Sequence, residues 1–446
     1  MRPHRKKPSI VFHRGNEVAF RGRLNPSALR YFQPFVNHLR INRPDTLLLD
    51  FGYCTHAYPN CMVPLIANTQ ELLELGIDIR CKLPINDNLR RLFRKSNWAH
   101  FLAPNQYEIS DEIHDRHSAL RQFKGPNDQH RAVNDIIDVV MRSHELDRSV
   151  ISALEWTINE ITDNVINHAD SSVGGFVQLT TYTDNQKIAI CVADPGRGIL
   201  ESLRESNPGL RLDTHAIADA VRAGVTRNKD VGQGNGLSGT LSIAMQTNGR
   251  FVLSSGSGWV TWENNQPTVS DCEPRRRYDG TIVDLQLPIA QKIDLEKALS
   301  LGSDKYRSYV DNIEVNYLSD DCSKIILNMR GETTTFGSRY AGRQMRVKAI
   351  NLMAAEPTCP LVIDWDGIQM ISSSYADEFI GKLFHELGPM QFMSKVRNNN
   401  MLPMIAQLID KAIIQRAQQE QVEFSKESET GPRPVQESDD DLPNQK

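Results

Sequence analysis

The chain has 446 residues, 39% hydrophobic and 24% charged, with a formal net charge of −4, enough for about three domains with real cores. No apolar run approaches 18 residues, which argues against a helical membrane span, and the basic start MRPHRKKPSIVF lacks a following apolar stretch, so no secretory signal is expected. The seven cysteines (Cys54, Cys61, Cys81, Cys191, Cys272, Cys322, Cys359) form no C-x-x-C pair and read as reduced thiols of a cytoplasmic protein, not a disulfide framework or zinc site.

Charge is uneven. Residues 1–40 hold nine Lys/Arg against one acid, Glu17. The pattern reads as a solvated basic arm and strand face, with nucleic-acid contact the weaker alternative. Strand-like SIVFHRG and EVAFRGRL are followed by the helical pattern PSALRYFQPFVNHLRI and the buried-strand run DTLLLDF. MVPLIANTQELLELGI is an amphipathic helix closed by Gly76, and DIRCKL is the next strand. Pro, Asp and Asn mark a seam at 125–128. A third α/β stretch carries strand KIILNMRG, helix SRYAGRQMRVKAINLMAA, strand PLVIDWDG and helix SSYADEFIGKLFHEL. The two outer stretches rhyme: Asp50 and Asp364 each end a strand, and Gly76 and Gly388 each end the helix after it. The polar end, KESETGPRPVQESDDDLPNQK, predicts disorder.

The middle of the chain carries the chemistry. KDVGQGNGLSGTLS packs Gly232, Gly234, Gly236 and Gly239 into eight residues. Glycines so dense indicate positive φ or a close backbone approach, usually to phosphate. The stretch fails as a dinucleotide fingerprint, because no strand precedes it and no acid follows about 20 residues on. It also fails as a P-loop, because no Gly-Lys-Ser/Thr follows, and as a protein-kinase loop, because V-A-I-K and H-R-D are missing. Upstream, SALEWTINEITDNVINHAD predicts a helix with Leu154, Ile158, Ile161 and Val165 as its buried stripe. Glu160, Asn164 and His168 follow at four-residue spacing on an adjacent face, which ordinary surface would also produce. A hairpin, GFVQLTTYT–DNQ–KIAICVA, ends on Asp194, before Gly196 and Gly198. An acid there can accept from an exocyclic amine, although Asp-Pro-Gly is also a common turn. DGTIVDLQLP sets Gly280 and Thr281 at the start of a late strand.

E-x-x-x-N on a helix, D-x-G-x-G, G-x-G-x-G-L-x-G and then G-T on a strand, in that order, resemble the GHKL ATP-binding fold of gyrase, MutL, Hsp-type chaperones, histidine kinases and anti-sigma kinases. NEITDNVINHA is most similar to the histidine-kinase and anti-sigma side. The outer stretches resemble STAS domains. The implied fold class is α/β: a central GHKL (Bergerat) α/β sandwich with a mixed sheet, flanked by two STAS-like α/β domains. The implied domains are 1–125 (STAS-like), 126–295 (GHKL), 296–418 (STAS-like) and 419–446, a disordered acidic tail. The resemblance implies ATP and Mg²⁺ as cofactors. Asn164 would hold the metal through its amide oxygen, and Glu160 stands at the position of the general base. Asp194 would recognise the adenine amine in a pocket shaped by Gly196 and Gly198, with Thr281 nearby. Gly232, Gly234 and Gly236 would wrap the phosphates, and a helix beginning near Leu237 would aim its positive end at them. Residues 199–231 would form a lid, with Arg227 and Lys229 as its solvated charges.

STAS domains often carry a regulatory serine, which makes Ser372, Ser373 and Ser374 candidate phosphorylation sites. The favoured reading is a bare helix cap, Ser374 with Asp377 in S-x-x-D, and a capping serine can also be phosphorylated. His144, in RSHELDRSV, looks like a phosphoacceptor box but lies only 20 residues before Asn164, so a helix-face histidine is expected. Arg275, Arg276 and Arg277 read as a solvated loop. Three functions compete: a slow Mg²⁺-dependent ATPase switch whose nucleotide state controls the flanking domains, an anti-sigma-type serine/threonine kinase acting on STAS domains, and a nucleotide-gated scaffold without turnover. ATP and a protein partner or partner STAS domain are the expected partners, a homodimer is allowed, and membrane or nucleic-acid binding is not expected.

Overall fold

The computed structural model of the chain describes residues 11–110, 118–222, 236–264, 266–290, 292–294, 298, 312–332 and 335–429. It is an α/β protein whose sheets together mix parallel and antiparallel pairings, and it divides into two units, Met1–Asn316 and Tyr317–Lys446. Among the described residues no helix is long and apolar enough to cross a membrane. All seven cysteines are free thiols, four of them buried.

The first unit opens with hairpin β1 (Val11–Arg14) and β2 (Glu17–Leu24), then α1 (Pro26–Asn42), β3 (Thr46–Ala57), α2 (Pro59–Glu74) and β4 (Asp78–Lys82). Asn25 starts α1 by accepting the Ser27 N–H, so the cap lies where Asn-Pro breaks the strand. The sheet runs β1-β2-β3-β4, antiparallel at the hairpin and parallel wherever a helix makes the crossover. Short helices α3 (Asp87–Lys95) and α4 (Trp98–Leu102) follow.

A larger sheet comes next. Its elements are β5 (Arg121–Phe123), α5 (Pro126–Ser143), α6 (Arg148–Asn164), β6 (Gly175–Tyr182), β7 (Lys187–Asp194), α7 (Gly198–Arg204), α8 (Asp213–Ala220), α9 (Gly236–Gln246), β8 (Arg250–Gly256), β9 (Gly258–Glu263), β10 (Gln266–Asp271) and β11 (Tyr278–Pro288). The order is β10-β9-β8-β11-β7-β6-β5, and every pairing is antiparallel. The mixed sheet expected here is therefore absent, and the mixing belongs to the four-stranded sheet before it. The physical reason is connection length: four residues join β6 to β7 and one joins β8 to β9, too few for a parallel crossover.

Strand parity shows how this sheet is used. Phe176, Ala193 and Ile282 are cross-strand partners on one face, and they share a core with Phe51, Cys61 and Trp98 of the preceding sheet and helices. Val177, Val192 and Val283, one residue along each strand, are buried on the opposite face. Helix α2 lies against β6 and β7. The expected boundary at 125/126 thus falls within one continuous core.

In the second unit, β12 (Ile325–Asn328), α10 (Arg339–Ala355), β13 (Leu361–Asp364), α11 (Lys382–Lys395), β14 (Val396–Asn399) and α12 (Pro403–Glu429) build a parallel sheet in the order β12-β13-β14. Helix α11 kinks at Gly388, φ 72°, where the sequence predicted a helix end. Helix α12 continues through residues 419–429, which were expected in the tail; the rest of that segment lies outside the described residues. The rhyming acids share a geometry. Asp50 accepts the Gly52 N–H at 2.7 Å and Lys82 Nζ at 2.9 Å. Asp364 accepts the Asp366 N–H at 3.1 Å and Asn400 Nδ2 at 2.8 Å. Asp364 ends β13 and closes a turn, whereas Asp50, expected at a strand end, lies within β3, which continues to Ala57; each carboxylate still ties down the end of the neighbouring strand.

Candidate functional site

Helix α6 is started by Asp147, whose carboxylate accepts the Ser149 N–H at 3.0 Å. Its predicted stripe, Leu154, Ile158, Ile161 and Val165, is buried, which leaves Glu160 and Asn164 half-buried on the adjoining face. After Asn164 the helix widens into a π-turn over Val165–Ala169. His168 falls in that turn, so it is not simply one α-helical turn beyond Asn164. Single π-turns often accompany functional sites, because they re-aim one side of a helix.

The opposite wall comes from the hairpin end. Asp194 closes β7 at 2% exposure, in register with Thr281 on β11. Its Oδ1 accepts the Gly196 N–H at 2.9 Å. Burial pushes the carboxyl up to about 7, against the lowering pull of the Gly196 and Thr281 backbone N–H groups. Gly196 stands against the Ala169 carbonyl, which also accepts the Arg197 N–H at 2.8 Å, so the loop is tied to the end of the π-turn. Gly198 begins α7 against Ser255. Ser255 was not foreseen: its hydroxyl accepts the Ile199 N–H at 2.9 Å and donates to the Gly280 carbonyl at 2.8 Å. The signal was a pair of serines in a strand opposite Gly-Thr, with nothing to distinguish it from filler.

Gly280 has φ 121° and lies against the Asp194 carbonyl, so a methyl group there would collide with backbone. Gly280→Ala is expected to destabilise the first unit by about 3 kcal/mol or more, read as a lowered midpoint in denaturant unfolding. An unchanged midpoint would show that the β7–β11 end can relax.

The third wall is the start of α9. Gly236 is pressed against α6: a methyl group there would collide with Glu160 Oε2 and lie 3.4 Å from Asn164 Nδ2. The helix N-terminus, with its positive dipole end, is thereby held beside one carboxylate and one amide. Leu237 packs on a small apolar cluster built from α7 and α8, around Leu203, Leu210 and Ala216.

Glu160, Asn164, Gly236 and Leu237 therefore form one group, and Asp194, Gly196, Gly198 and Thr281 another, joined through the π-turn. Gly232, Gly234, Arg227 and Lys229 lie outside the described residues. Ser372, Ser373 and Ser374 belong to the second unit. There the cap differs from the expectation: Ser372, not Ser374, caps the helix by accepting the Tyr375 N–H at 3.0 Å, because the helix begins at Ser373. Asp377 instead accepts from Arg416 Nε and Nη2, each at 2.8 Å. Ser373 is exposed. His144 is not on a helix face; it sits in extended conformation at the C-cap of α5, because the helix stops at Ser143. Arg276 and Arg277 are half-buried, Arg276 over the Tyr31 ring and Arg277 paired with Asp279 at 2.7 Å, so they are docked and not a solvated loop.

The family model of the histidine kinase-like ATPase domain matches residues 124–238. That match supports a GHKL-type domain in this part of the chain and, with it, ATP binding. No curated protein and no solved structure matches the chain.

Proposed function

We propose that the chain is a cytoplasmic ATP-binding regulatory protein that works as a slow Mg²⁺-dependent ATPase switch, its nucleotide state controlling flanking STAS-like domains. The observation that carries this reading is the closeness of Gly236, at the head of α9, to Glu160 and Asn164. Backbone that close sets a base and a metal-binding amide beside the head of α9, where phosphate oxygens would bind. Asn164 would lend one oxygen to magnesium, which keeps most of its waters and takes few protein ligands. Asp194 would accept from the adenine amine, with Thr281 beside it, in a pocket floored by Gly196 and Gly198. The α9 N-terminus, with backbone N–H groups from Gly232, Gly234 and Gly236, would hold the phosphates. When bound, the magnesium nucleotide supplies an electrophilic phosphoryl group whose charge the metal partly neutralises. Glu160 would orient a water and take its proton. The matching carboxylate contacts of Asp50 and Asp364, each accepting the N–H two residues on, support one domain type used twice. A protein partner, such as a partner STAS domain, and a homodimer both fit this role.

The exposed Ser373, at the head of its helix, favours a second reading: a serine/threonine kinase acting on STAS domains, with Glu160 taking a hydroxyl proton. The full chain incubated with Mg²⁺ and ATP labelled at the γ-phosphate separates the two. Free labelled phosphate is the expected product. Label retained on protein would favour the kinase, and neither product would leave only a nucleotide-gated scaffold.

A further inference from the structure

A second cavity lies on the other face of the large sheet, away from Asp194 and Thr281. It holds about 150 Å³ between α1, the start of α2 and strands β8, β9 and β11. Gln33, from α1, is 1% exposed, and neither its Oε1 nor its Nε2 has a partner among the described residues. The Asn60 Oδ1 and the Tyr278 hydroxyl, from residues that also line the cavity, are buried and have no partner among the described residues. Leaving one such group unsatisfied costs about 1–3 kcal/mol, so four around one cavity call for an occupant.

The charged groups define its sign. The one carboxylate in the lining, Asp284, is already engaged by Arg250 Nη1 at 2.9 Å and Asn60 Nδ2 at 3.0 Å. Arg30 is not: its guanidinium lies 3.5 Å from the Trp259 ring centroid, half-buried, with no hydrogen bond or ion pair among the described residues. Arg276 adds a second positive charge, its nearest acid being Glu273 at 3.9 Å. Water fills cavities of this size, but it does not neutralise a stacked guanidinium, which matches a planar carboxylate in two parallel hydrogen bonds. Leu29, Ile282 and Trp259 make the remaining wall apolar. A volume near 150 Å³ takes about one six-membered ring.

We propose that this cavity binds a small monocyclic carboxylate bearing a hydrogen-bonding substituent. The carboxylate meets Arg30, the ring lies between α1 and the sheet, and the substituent satisfies the Gln33 amide and its polar neighbours. The site stands independently of the nucleotide reading.

The test uses the full chain titrated with 4-hydroxybenzoate and 3-hydroxybenzoate, with 4-hydroxybenzyl alcohol as the uncharged match, followed by calorimetry and ligand-observed NMR. At least one benzoate should bind saturably at one site per chain, with Kd about 1 mM or tighter, and the alcohol at least about tenfold more weakly. Arg30→Met, which keeps the stem over Trp259, should weaken the benzoate by about tenfold or more. Gln33→Leu should raise the melting temperature of the free chain, since it removes an unsatisfied amide, while abolishing the shift that the benzoate produces. No saturation by either benzoate up to about 20 mM would overturn the proposal. So would equal binding of the alcohol, or binding that both variants leave intact.

Discussion

Glu160→Gln should lower phosphate release from ATP by about 10²- to 10⁴-fold, the usual contribution of a positioned general base. ATP affinity should stay within about threefold, because the amide keeps the volume of the carboxylate beside Gly236 and removes only its ability to take a proton. The contrast between turnover and binding is what distinguishes a base from a residue that merely shapes the pocket. Single-turnover phosphate release and equilibrium binding of a non-hydrolysable ATP analogue, on the same preparation, measure both. Turnover within threefold of the unaltered chain would remove Glu160 from the chemistry.

Asp194→Asn should change stability and binding in opposite directions. The folded carboxyl titrates at about 7 because it is buried, against 3.8 for the free group. The folded state therefore holds a proton that the unfolded chain has released. That contribution to stability is complete below about pH 3.8, is lost as pH rises towards 7, and stays lost above it. The penalty at pH 8 is on the order of 4 kcal/mol, and asparagine escapes it. The variant should melt several degrees higher than the unaltered chain at pH 8 and about equally at pH 3.5. Its affinity for ATP should nevertheless fall by about tenfold or more, since an ionised carboxylate is the stronger acceptor for the adenine amine. The unaltered chain should also lose affinity below about pH 7 more steeply than the variant does, because only its acceptor titrates. Superimposable pH profiles would detach Asp194 from adenine recognition.

The sequence made α6, the β6–β7 hairpin and the glycine-flanked Asp194 legible, because each depends on local rules. A 3.6-residue stripe of Leu154, Ile158 and Ile161 is a helix in almost any context, and Asp-Pro-Gly after a strand is a turn. Long-range consequences were not legible. Nothing in VINHA announces a π-turn, since widening a helix by one residue depends on what packs against it. Nor does periodicity reveal that Phe176, Ala193 and Ile282 belong to the same core as Phe51: an apolar run records burial but not the identity of its cover. The caps moved for a related reason. Ser372 and Ser374 are chemically identical candidates, and only the start of the helix at Ser373 decides between them. The same blindness concealed the cavity behind the sheet, since nothing in the helical pattern PSALRYFQPFVNHLRI marks Gln33 as fully enclosed.

The shared core has a practical bearing on how the ATPase segment can be isolated. Cutting the polypeptide between β5 and α5 would strip the cover from Phe176 and Ile282, and leave Gln178 without the indole N–H of Trp98, which it accepts at 2.8 Å. Such a piece would expose a greasy slab where the intact protein has none, and would be prone to aggregate before it met a nucleotide. A fragment that retains the motif-bearing helix with its core covered has to keep the N-terminal layer, which is part of that domain's foundation.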